Sequence, residues 1–110
     1  MKDILIHDKE KDKLKRVTVN VTARDIINGL AAECYRCPVA LALNRLLKKP
    51  YRAKVGSATV MYESITNSGN VYGPMMPLIT SDFIRAFDAN RNPLPFKFKM
   101  NIPKMVLRHP

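Results

Sequence analysis

The stretch from Pro38 to Pro50, PVALALNRLLKKP, constrains the fold more than any other part of the chain. Pro38 suits a first helical turn, where its missing N–H is not needed, and Pro50 stops the helix. Between them Val39, Leu43, Leu46 and Leu47 fall at i, i+4, i+7 and i+8. That is an apolar stripe on one side of a helix, with Ala40 and Ala42 small enough for close packing. Lys48 and Lys49 are placed in the last turn, where cations suit the helix dipole. Such a helix must lie on another layer, and the rest of the sequence supplies strands.

Val17, Val19 and Val21 alternate with Thr18 and Asn20 within Leu14–Val21, the period of a half-buried strand. Tyr51, Ala53 and Val55 alternate with Arg52 and Lys54, and after Gly56-Ser57 the alternation resumes in shifted phase at Ala58, Val60 and Tyr62. The shift predicts a hairpin. Asn67-Ser68-Gly69-Asn70 is a second turn signal before Val71-Tyr72. Phe96, Phe98 and Met100 alternate with Lys97 and Lys99. Thr22 and Asp25 have capping-box spacing and predict a helix over Ala23–Asn28, closed by Gly29, with Ile26, Ile27 and Leu30 inward. Thr80 or Ser81 is expected to cap a third helix, Asp82–Ala89, carrying Phe83 and Phe87. Gly73-Pro74-Met75-Met76-Pro77 reads as an apolar loop.

The order β, β, α, α, β, β, (β), α, β predicts an α+β fold. The expectation is a single domain, residues 1–110, with a small antiparallel sheet and two or three short helices packed on one face. Residues 1–13 read as a peripheral strand and charged turn. Residues 102–110 read as a basic tail that packs back, pairs with a symmetry mate in a homodimer, or stays mobile. No apolar run approaches the roughly 20 residues of a membrane span. The apolar stretch near Met1 is too short for a secretory signal, so a cytoplasmic protein with reduced thiols and no membrane partner is expected.

Charge narrows the function. Nineteen Lys and Arg oppose nine Asp and Glu, a net charge of +10. The excess is uneven: Arg36 to Lys54 holds six basic and no acidic residues, and Ala89 to Pro110 holds five and none. A field of one sign attracts phosphate polyanions or an acidic protein face. The candidate contacts are Arg36, Arg45, Lys48, Lys49, Arg52, Lys54, Lys97 and Lys99. Tyr35, Tyr51, Tyr62 and Tyr72 offer aromatic faces near that charge, although strands commonly use Tyr for packing. Tyr72, Met75 and Met76 form a candidate protein-contact loop, because adjacent Met residues adapt to a partner; core filling is the plainer role.

Chemistry centres on Cys34 and Cys37. Their spacing fits half a zinc site, but a structural site needs four ligands, and His7 and His109 lie near opposite termini. A C-x-x-C at a helix start also fits a thiol oxidoreductase, yet no buried parallel strand leads into it. Two small thiols packed at an elbow between helices are the plainer reading, with a disulfide open if geometry allows. There is no phosphate-binding glycine loop and no nucleophile elbow. No catalytic residue, metal or cofactor is assigned, and the expectation is a protein that is not an enzyme.

The segments C-x-x-C-P-x-A-x-A-L, V-x-V-G, F-x-x-A-F-D and F-x-F resemble a group of short phage and bacterial proteins. They are carried here by Cys34, Cys37, Pro38, Ala40, Ala42 and Leu43, then Val55 and Gly56, then Phe83, Ala86, Phe87 and Asp88, then Phe96 and Phe98. The match covers roughly Val17 to Met100. The resemblance brings no activity and implies a phage-encoded accessory protein acting in a host cytoplasm. Two functions are expected from these readings together: a basic binding protein for nucleic acid or nucleotide, or an anti-defence protein, for example an anti-CRISPR, that plugs an acidic or nucleoprotein host factor.

Overall fold

The computed structural model describes residues 3–66 and 69–110. Asn67 and Ser68 of the expected second turn lie outside the described residues, as do Met1 and Lys2. The elements are β1 (Ile4–Leu5), β2 (Leu14–Val21), α1 (Ala23–Asn28), α2 (Pro38–Asn44), β3 (Tyr51–Val55), β4 (Val60–Ser64), β5 (Asn70–Tyr72), α3 (Leu78–Asp88) and β6 (Phe96–Pro103). Single 3-10 turns occupy Lys11–Lys13 and Lys104–Val106. The class is α+β.

The single antiparallel sheet is corrected to two sheets. β2 and β6 pair antiparallel along their full length, from Leu14 opposite Pro103 to Val21 opposite Phe96, and form a ribbon of their own. The other sheet has the order β1-β5-β4-β3. It is mixed, because β1 runs parallel to β5. Alternation marks which side of a strand is buried and leaves its neighbour open, so pattern alone did not separate the sheets.

α2 lies between them, packing on β2 of the ribbon and β3 of the mixed sheet. Val39, Ala40 and Leu43 on this helix have no exposed surface. α2 ends at Asn44, a turn earlier than its stripe suggests. Leu47 leaves the helix to form an antiparallel bridge with Leu107, and Lys48 and Lys49 follow outside any helical turn. The tail therefore packs back: Val106 and Leu107 are buried, the Lys48 N–H donates to the Val106 carbonyl and the Arg108 N–H to the Leu46 carbonyl, both at 2.9 Å. Of the three expectations for the tail, packing back is the one this contact shows.

α1 has the expected capping box. Thr22 Oγ1 accepts from the Asp25 N–H at 3.1 Å, and Asp25 Oδ2 accepts from the Thr22 N–H at 2.9 Å. Its buried side differs from the expectation: Asp25 is 3% exposed, while Ile27 is 79% and Leu30 47% exposed. Gly29 is needed for room, not for a left-handed turn. Its φ is −74°, and an added Cβ would stand 2.7 Å from Pro38 Cδ and 2.8 Å from the Asp25 carbonyl oxygen.

α3 starts at Leu78, with Pro77 at its N-cap, so neither Thr80 nor Ser81 caps it. Both hydroxyls act as donors instead, Thr80 Oγ1 to the Pro77 carbonyl at 2.6 Å and Ser81 Oγ to the Ser57 carbonyl at 2.5 Å. Phe83 on α3 meets Phe96 of the ribbon with ring centroids 4.7 Å apart. The expected hairpin joins β3 to β4 with Val55 opposite Val60, closed by the Gly56 N–H on the Thr59 carbonyl at 2.8 Å. Along the far side of β3, the N–H groups of Tyr51, Ala53 and Val55 donate to the Lys48 carbonyl, Asn44 Oδ1 and the Cys34 carbonyl.

Tyr62 is fully buried at the centre of the mixed sheet. Its hydroxyl is the one buried side-chain polar atom without a hydrogen-bond partner among the described residues. Burial also pushes its phenol pKa up. An unpaired buried hydroxyl costs about 1–3 kcal/mol. Tyr62→Phe is therefore expected to raise stability by about 1 kcal/mol, read from the urea midpoint at constant slope. A clear loss of stability would mean that the hydroxyl is satisfied by buried water.

Candidate polyanion-binding surface

The eight cations expected to form one surface fall into four settings. Arg45 is locked to Asp25: Nη1 lies 2.5 Å from Oδ1 and Nη2 2.7 Å from Oδ2, while Nη2 also donates to the Asn20 carbonyl at 2.9 Å. Burial alone would raise the Asp25 carboxyl pKa. Hydrogen bonds from Arg45 and the Thr22 N–H, with the Arg45 charge, outweigh burial and hold it below the usual carboxylate range. The Arg45 charge is therefore used inside the fold.

Arg52 is also spent internally. It faces Glu63 across the hairpin, Nε and Nη2 reaching Oε1 at 2.8 and 2.5 Å. Its guanidinium lies 4.1 Å above the Tyr35 ring, and Tyr35 Oη donates to Glu63 Oε2 at 3.0 Å. The Arg52 hydrogen bonds are the main cause of a lowered Glu63 pKa. Lys54 reaches over the same ring at 5.8 Å. Tyr35 thus carries cations of the chain itself, and Arg36 stands exposed beside it in sequence.

Lys48 and Lys49 are exposed and held beside the tail. The tail brings Lys104 and Arg108 to the same region, and Lys15 Nζ donates to the His109 carbonyl at 3.1 Å. This grouping was hidden in the sequence because it depends on the Leu47–Leu107 bridge.

Lys97 and Lys99 lie on the ribbon. Paired residues of an antiparallel ribbon share a face. One face holds Val17, Val19 and Val21 with Met100, Phe98 and Phe96, and turns to the core. The other holds Arg16 opposite Asn101, Thr18 opposite Lys99 and Asn20 opposite Lys97. Five of these six are exposed, and Asn101 is half-buried. Neither strand carries a carboxylate. Among the described residues Arg16, Lys97 and Lys99 are in none of the ion pairs. Arg16, Thr18, Asn20 and Asn101 were missed as site residues. Their signal was the polar phase of the alternation, whose meaning depends on the pairing with β6.

The ribbon face runs into a cleft of about 530 Å³. Arg16 and Lys99 line one side, and Lys11, Asp8 and the Met75–Met76 loop line the rest. The two methionines divide: Met76 is buried at 5% and Met75 is 65% exposed. Tyr72 is half-buried on β5.

The cysteines are free, and both border a hollow of about 250 Å³ with Glu33 and Asp88. Cys37 is buried at the N-cap of α2, its Sγ accepting from the Ala40 N–H at 3.4 Å. Burial pushes its thiol pKa up, the opposite of what a reactive thiolate needs. Among the described residues no three His, Cys, Asp or Glu side chains gather to hold a metal. Among them, too, no helix is long and apolar enough to cross a membrane. No protein-family model, curated protein or solved structure matches the chain.

Proposed function

We propose that the protein is a non-enzymatic binding protein for a polyanion, nucleic acid foremost, and that the outward face of the β2–β6 ribbon is the contact surface. The observation that carries this is the set Arg16, Lys97 and Lys99: exposed, outside every ion pair among the described residues, on strands without a carboxylate. Cations that serve the fold find partners, as Arg45 and Arg52 do. Exposed cations clustered without a neutralising carboxylate create a field that attracts polyanions.

Three phosphate contacts give a slope of about −2.7 in log affinity against log salt, or about 40-fold weaker binding from 50 to 200 mM salt. The test is a titration of labelled DNA, RNA and nucleotides across that range. Lys97→Glu with Lys99→Glu is expected to weaken binding at least tenfold and flatten the slope. A flat salt response of the unaltered protein overturns the reading.

A second reading rests on a separate observation. Met75, Leu78 and Ile79 are 65%, 80% and 50% exposed at the start of α3. Clustered exposed apolar side chains suit a protein partner. Together with the likeness to phage proteins, this supports a stoichiometric anti-defence binder of a host factor. Capture of one host protein that survives nuclease treatment, and is lost in Met75→Asp with Leu78→Asp, is the result this reading expects.

A further inference from the structure

We propose that the β2–β6 ribbon seats its outward face in the major groove of a B-form DNA duplex and reads base edges there. The proposal rests on the polyanion reading of this face and narrows it to one partner. Three observations select that partner: the shape of the element, the chemistry of its face, and the location of the aromatic rings.

The shape is a two-stranded antiparallel ribbon, paired over eight residues on each strand. The major groove of B-DNA, about 12 Å wide, admits such a ribbon. The major groove of an RNA duplex is too deep and narrow for side chains to read. From Arg16 to Asn20 the face extends roughly 14 Å at about 3.4 Å per residue, a span of about four base pairs.

The chemistry of the face is that of base recognition as well as phosphate pairing. Arg16, Lys97 and Lys99 suit the O6 and N7 acceptors of guanine, Asn20 and Asn101 suit the N6 and N7 edge of adenine, and the Thr18 methyl suits that of thymine. A surface that only held phosphates would not need two amides and a hydroxyl set between its cations. The pairs alternate, cation opposite amide or hydroxyl, at every step of the face: Arg16 with Asn101, Lys99 with Thr18, Lys97 with Asn20.

The aromatic rings argue against a single strand. Single-strand binding surfaces stack bases on exposed aromatics. The ribbon's two aromatics, Phe96 and Phe98, are on the opposite face and pack with Phe83 toward the core. Tyr62 is buried, Tyr35 is covered by Arg52, and Tyr51 and Tyr72 are half-buried on the other sheet.

The test uses the full chain and a random-sequence duplex, with the same DNA as single strands and an RNA duplex of equal length. Binding is read by fluorescence anisotropy at 100 mM salt. The DNA duplex is expected to bind at least tenfold tighter than either other form. Methyl green, which occupies the major groove, is expected to displace the protein, and netropsin, which occupies the minor groove, is not. Asn20→Ala with Asn101→Ala is expected to abolish the preference for adenine in a selection from random duplexes while leaving the preference for guanine and the salt slope unchanged. Lys99→Gln is expected to lower the slope by about one. These side chains are exposed apart from the half-buried Asn101, and an unchanged melting temperature verifies each variant. Salt-dependent binding of equal strength to all three nucleic acids would overturn the groove proposal and leave the polyanion reading standing. Preference for single strands, or displacement by netropsin alone, would do the same. Absence of salt-dependent binding to any of them would overturn both.

Discussion

Leu107→Ala is expected to destabilise the protein by about 3 kcal/mol, within the range for emptying a well-packed leucine site. At about 5 °C per kcal/mol for a domain of this size, the melting temperature falls by roughly 15 °C. Leu107 is 3% exposed, only three residues from the C-terminal Pro110. Its bridge to Leu47 and the neighbouring hydrogen bonds close the ribbon end of the fold over the segment that follows α2. A solvated tail predicts something different: surface substitutions usually stay within about 0.5 kcal/mol. A thermal melt of the variant separates the two, and a change of that smaller size would show that the tail does not pack.

The second large effect is expected at Asp25. Asp25→Ala removes the acceptor of the Thr22 N–H, one half of the capping box, a hydrogen bond worth about 1 kcal/mol. It also removes the acceptor of two charge-assisted bonds from Arg45, worth about 1.5–3 kcal/mol before allowing for solvent. The Arg45 side chain is 51% exposed, which reduces the second contribution, so the total is about 2–3 kcal/mol. Arg45→Ala is expected to cost about as much, because it strands a carboxylate that is 4% exposed. The double variant should be little worse than either single one, a coupling of about 2 kcal/mol. The pair also titrates. A carboxyl held low in the folded state contributes its full stability above its unfolded pKa, about 3.9. That contribution is lost as pH falls from there through the folded value. Urea midpoints at pH 7 and pH 3 should therefore differ less for Asp25→Asn than for the unaltered chain. Arg45→Ala costing under about 0.5 kcal/mol at pH 7 would remove the basis for this account.

Arg45 shows why charge runs mislead. In sequence it lies within the basic run from Arg36 to Lys54, and its loss reads there as loss of a ligand contact. Its partner lies 20 residues earlier, on a helix whose apolar Ile27 faces water while its carboxylate is buried. Local patterns carried the strands, the hairpin and the capping box, because each depends on neighbours within a few residues. They failed where a distant contact decided the outcome. Leu46 and Leu47 fit the helical stripe of α2, yet Leu47 is claimed by Leu107. Thr18 and Asn20 were legible as the wet phase of a strand, but their place opposite Lys99 and Lys97 required the register with β6. The candidate surface was thus half visible: its lysines came from composition, and the residues between them only from pairing.

The outer N–H groups of β3 have a consequence for self-association. Tyr51, Ala53 and Val55 would each offer a donor to an incoming strand, but Lys48, Asn44 and Cys34 already accept all three. At the other rim, β1 is two residues long, too short to template a neighbour. Both rims of the mixed sheet are thus closed to strand addition, one by occupied donors and one by brevity. A second copy of the chain therefore cannot lengthen the mixed sheet at either rim, and any contact there is made by side chains.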